Sequence, residues 1–68
     1  MEQSNIYKNI GRLFCDPNSL EMSVVVDVVC EAGKYKYMYF ILERGEMHKA
    51  FVSWFDDSSL VKWLTPPR

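Results

Sequence analysis

The decapeptide 21–30, Glu-Met-Ser-Val-Val-Val-Asp-Val-Val-Cys, constrains this 68-residue chain more than any other segment. Five valines in ten positions disfavour a helix and suit a pleated strand. Two further runs, 34–43 and 46–55, follow the breaks Ala32-Gly33 and Arg44-Gly45. Each break carries a glycine in a connection short enough for a hairpin, so the three runs predict an antiparallel meander.

The flanking segments predict helices. Residues 4–14 place Ile6, Ile10, Leu13 and Phe14 at helical spacing, with Ser4 or Asn5 available to cap the first turn. Gly11 weakens that helix by about 1 kcal/mol relative to alanine, and Asp16-Pro17 ends it. After the third run, Asp56-Asp57-Ser58-Ser59 supplies an acidic, capping start for a helix over 58–64, with Leu60, Val61, Trp63 and Leu64 as its apolar face. Thr65-Pro66-Pro67 then stops it. The expected fold is a single two-layer α+β domain over 1–68: N-terminal helix, three-stranded antiparallel meander, short C-terminal helix. Both helices would lie on one face of the sheet.

Two-residue turns fix the cross-strand partners by counting outward from each turn. One face then gathers Val24, Val26, Val28 and Cys30 with Tyr35, Tyr37, Tyr39 and Ile41, and with His48, Ala50, Val52 and Trp54. The other carries Asp27, Glu31, Lys34, Lys36 and Lys49 among Ser23, Val25, Val29 and several large apolar groups. An unpaired buried charge is costly, so the second face is expected to meet water and the first to lie under the helices. Three-residue loops with a glycine bulge would put Lys34 and Lys36 under the helices, which disfavours that register.

Composition narrows the function classes. A net charge of −1 and a pI near 5.7 supply no long-range attraction for phosphate backbones. The eight basic residues are scattered, and so are the nine acidic ones, which argues equally against a nucleic-acid mimic. Cys15 and Cys30 allow one bridge, fewer than a small secreted domain usually carries. The amino terminus lacks the basic start and apolar run of a signal peptide, and no segment has the roughly 20 apolar residues that cross a bilayer. These features point to a cytoplasmic protein with free thiols and no membrane association.

The stretch Lys34-Tyr35-Lys36-Tyr37-Met38-Tyr39-Phe40 alternates cations and aromatics, as a base-stacking surface would. The register turns its tyrosines inward, which leaves Lys36, Phe40, Lys49 and Phe51 as the residues a single-stranded nucleic acid would use. His48 with Cys15 or Cys30 would give a base and a thiol nucleophile, but no local signature accompanies them. Asp56-Asp57 is accounted for by helix capping, and no His/Cys cluster has zinc spacing. Neither a metal nor a cofactor is expected.

Lys36, Met38, Phe40, Leu42, Met47, Lys49, Phe51 and Phe55 therefore form the expected binding surface. Aromatic and methionine anchors ringed by charge are what protein interfaces favour, and a self-complementary version makes a homodimer. The expected function is a small non-enzymatic protein-binding module, an inhibitor or adaptor. Phages and other mobile elements often encode such proteins, an analogy of size and composition. Behind it stand a single-stranded nucleic-acid binder and a small enzyme or enzyme subunit using His48.

Overall fold

The structure is a computed structural model that describes residues 2–17, 20–56 and 61–66. It is a five-stranded antiparallel sheet built from β1 (Leu13–Cys15), β2 (Met22–Glu31), β3 (Lys34–Ile41), β4 (Glu46–Phe51) and β5 (Lys62–Trp63). The strands lie in the order β4-β3-β2-β1-β5. A 3-10 helix over Glu2–Asn9 and a five-residue α-helix, α1 (Val52–Asp56), accompany the sheet. The molecule is mostly sheet, which corrects the expected two-layer α+β arrangement of two helices around three strands.

Three local events produce the difference. The first helix stops early because Gly11 adopts φ 91°, a left-handed conformation that no right-handed helix continues through, and gives its N–H to the Val25 carbonyl at 2.7 Å. Leu13 and Phe14, adjacent in sequence, then go to opposite faces of β1. The third run leaves the sheet after Phe51, and the turn of α1 drives Phe55 into the core at 2% exposure. There its ring meets those of Phe14, Tyr37 and Trp54 at 4.9 Å and those of Tyr39 and Trp63 at 5.9 Å. Burying a phenyl ring yields about 2–3 kcal/mol, more than further pairing at a sheet edge offers.

At the C-terminal end, a strand stands where the helix over 58–64 was expected: Phe14 pairs with Trp63 and Cys15 with Lys62. Asp57, Ser58, Ser59 and Leu60 lie outside the described residues. Arg12 fastens this edge. Its guanidinium sits 4.0 Å over the Trp63 ring and donates to the Thr65 carbonyl at 2.8 and 2.6 Å and to Asn9 Oδ1 at 2.7 Å.

The β2–β3 hairpin closes on the expected two-residue turn, with φ 53° at Ala32 and 77° at Gly33. Pairing runs outward as counted as far as Asp27↔Met38, where a bulge at Val26 moves the register by one, so that Val25 faces Tyr39. Val25 and Ser23 therefore point inward, and Val24 turns outward. This corrects the expected inward row: of Val24, Val26, Val28 and Cys30, only Val28 packs on the core, while Val26 and Cys30 are exposed. The β3–β4 connection uses four residues, Leu42 to Gly45, instead of two. That moves the partners by two positions (Lys36↔Phe51, Tyr39↔His48) and leaves each side chain on its expected face.

The buried cluster is Phe14, Val25, Tyr37, Phe55 and Val61, with Ile6, Ile10, Tyr39, Trp54 and Trp63 packed around it. Tyr37 is 1% exposed, and its hydroxyl accepts from Asn9 Nδ2 (2.7 Å) and donates to the Ile6 carbonyl (3.1 Å). Burial raises the ionisation range of that phenol above its ordinary value. The helices and core occupy one side of the sheet. No helix among the described residues is long and apolar enough to cross a membrane.

The outer sheet face as candidate interface

Because side chains alternate along each strand, the inward set of Phe14, Val25, Tyr37 and Tyr39 dictates what lies on the opposite side. Pairing puts Leu13 beside Val24, Val24 beside Phe40 and Phe40 beside Met47. Leu64 extends the row, since its N–H bonds the Leu13 carbonyl at 2.9 Å. An apolar stripe thus runs from Leu64, just past β5, across β1, β2 and β3 to β4 on the face away from the core. Its two ends are the most open, with Met47 at 50% and Leu64 at 44% exposure. Met22 and Leu42 lie next to it on one flank and Met38 on the other; the Leu42 N–H bonds the Met22 carbonyl at 3.1 Å.

Charges gather at the margins. Toward the β2–β3 turn, the Glu31 carboxylate accepts from Lys36 Nζ at 3.1 Å and from Lys49 Nζ at 2.5 Å. Lys36 and Lys34 also stand 4.9 and 5.8 Å from the centre of the Phe51 ring. At the opposite margin Arg44 pairs with Glu21 at 2.8 Å and approaches Glu46 at 3.9 Å.

The hydrogen bond from Lys49, then that from Lys36, hold the Glu31 carboxyl below its ordinary value of 4.5. Its ion pairs are therefore complete above that value and are lost as pH falls through the depressed one. A carboxyl-carbon NMR titration should find Glu31 below the ordinary glutamate range in the native protein. Lys49→Met should move it upward; an ordinary value in the native chain would show that the bridge does not persist in solution.

Of the residues singled out from sequence, Lys36, Met38, Phe40, Met47, Lys49 and Phe51 share this face, and Leu42 flanks it at the β3–β4 turn. Phe55 does not, being in the core. Leu13, Val24, Met22 and Leu64 join the face without having been anticipated. Their spacing suits Leu13 and Leu64 to helices, and alternation alone turns Val24 inward because nothing in a run of valines marks where a bulge falls.

His48 lies on the core side of β4, where its ring stacks on Tyr39 at 6.0 Å and 25° and its Nε2 is 3.0 Å from Glu46 Oε1. It is 45% exposed. Cys15 is half-buried and Cys30 exposed, both unbridged. Among the described residues no three His, Cys, Asp or Glu side chains group as metal ligands do. What the face offers chemically is a flat apolar band with an ion-paired margin. The chain matches no known family model, no curated protein and no solved structure.

Proposed function

We propose that this chain is a non-enzymatic protein-binding module, an inhibitor or adaptor, that docks a partner on the outer face of its sheet. The observation that carries this reading is the apolar stripe from Leu64 through Leu13, Val24 and Phe40 to Met47, on the side opposite the core. Contiguous apolar surface of this kind, rimmed by charge, is what marks interaction sites. Lys36 and Lys49 both spend their charge on Glu31, which favours a protein partner over a phosphate backbone. Two unbridged cysteines suit action in the cytoplasm.

The test is a double substitution, Phe40→Asp with Leu64→Asp. The variant should keep the native circular dichroism spectrum while its capture of partner proteins falls at least about tenfold, as expected when interface anchors are lost. Undiminished capture of the same proteins would remove the face from consideration. Binding of labelled single-stranded oligonucleotides by the native chain at low salt, lost in the same variant, would reassign it to nucleic acid.

A further inference from the structure

The two edges of the sheet are treated differently. The β5 edge is two residues long, Arg12 occupies the Thr65 carbonyl, and Pro66 follows with no N–H to offer. The β4 edge has six residues with no proline, glycine or bulge. Exposed edges of that length are templates for another strand unless something guards them.

The direction of the β4 backbone follows from bonds elsewhere. The Leu42 N–H bonds the Met22 carbonyl, so the even-numbered residues of β3 address β2 and the odd-numbered ones address β4. Tyr37, Tyr39 and Ile41 pair with Ala50, His48 and Glu46, which therefore use their backbone groups inward. The peptide groups of Met47 and Lys49 and the N–H of Phe51 are left pointing out from the sheet.

A lysine in mid-strand is a usual guard, but Lys49 leans back across β3 onto Glu31, and His48 is held by Glu46 on the other face. The pattern on the outer face, Met47-Lys49-Phe51, also reads alike in both directions: apolar, lysine, apolar. We infer that β4 pairs antiparallel with β4 of a second copy about a twofold axis at Lys49, joining two five-stranded sheets into one of ten.

In that register Met47 lies against the partner's Phe51 on each side of the axis, a sulfur–aromatic contact. The two central lysines each bring their own Glu31, which also pairs with Lys36, so the carboxylates reduce the charge of the four lysines at the junction from +4 to +2. About four ladder hydrogen bonds form, in the alternation of an antiparallel pair. An interface this small belongs at the weak end of the size range, so dissociation in the micromolar range is expected, at about 1–100 µM. The pairing concerns the edge of the sheet and does not depend on whether its outer face docks a partner.

Analytical ultracentrifugation of the full chain between about 1 µM and 1 mM tests this range directly. The native chain should pass from monomer to dimer, and the amide protons of Met47, Lys49 and Phe51 should exchange more slowly as dimer accumulates. Lys49→Pro removes an outward N–H without touching the β3 ladder, so it should stay monomeric throughout. Should that variant not fold, Phe51→Glu keeps the backbone intact and should weaken association at least about tenfold. A native chain that remains monomeric at the highest concentration overturns the pairing. So does a folded Lys49→Pro that still dimerises, and so does loss of dimer in Phe40→Asp/Leu64→Asp, which would place the contact on the face.

Discussion

Phe55→Ala is expected to remove at least about a third of the stability of the fold. The ring is 2% exposed and touches five other aromatic rings, with Phe14, Tyr37 and Trp54 edge-on at 4.9 Å. Truncating a buried phenylalanine costs about 3–5 kcal/mol, because the cavity left behind collapses only in part. A chain of 68 residues has roughly 3–10 kcal/mol of stability in total. Five of its neighbours are rings that also pack on one another, which limits how far they can move into the space. Thermal melting followed by circular dichroism should show no cooperative transition, or one lowered by about 20 °C or more. Phe51→Ala, four positions earlier and 45% exposed, should change stability by about 1 kcal/mol or less. Equal effects of the two substitutions would mean that α1 does not turn Phe55 inward.

Val25→Asp against Val24→Asp is the second large contrast. Val25 is 0% exposed and lies beside Tyr39 across the β2–β3 ladder, so a carboxylate there loses water without gaining a partner and should cost on the order of 4 kcal/mol. Val24 lies on the outer face beside Leu13 and Phe40. Aspartate at 24 should cost about 1 kcal/mol, mainly through its poor fit to a strand. Urea denaturation of the two variants decides the matter. Without the bulge at Val26 the order reverses, because Val24 would be the inward residue.

These two positions show where reading the chain from one end succeeds. The valine run, the glycine breaks and the tyrosine alternation identify β2, β3 and most of β4, because each element is decided by neighbours a few residues away. The outward direction of Lys36, Met38, Phe40, Met47, Lys49 and Phe51 follows for the same reason. A four-residue turn in place of a two-residue one moved the partners by an even number and cost nothing in facing. A single extra residue at Val26 moved them by an odd number and exchanged Val24 for Val25.

Elsewhere the decision was made at long range. The spacing of Ile6, Ile10, Leu13 and Phe14 is compatible with a helix, and Leu13 with Phe14 is equally compatible with a strand. Only the presence of β2 on one side and Lys62–Trp63 on the other resolves it, the latter through pairing between residues about fifty positions apart. Phe55 was likewise ambiguous, because continuing the alternation of β4 places it outward while one helical turn places it inward. The alternation ended when a five-ring pocket offered more burial than further pairing would.

By itself, then, the sequence determined the central hairpins and the separation of charge from tyrosine across β3, since period-two patterning and turn glycines act within a short stretch of chain. The tertiary structure alone decided that Leu13–Cys15 and Lys62–Trp63 become strands, that Val25 is core and Val24 surface, and that Phe55 is buried. Those choices are settled by which apolar surfaces meet after the chain has folded back on itself, and that free energy belongs to no local segment.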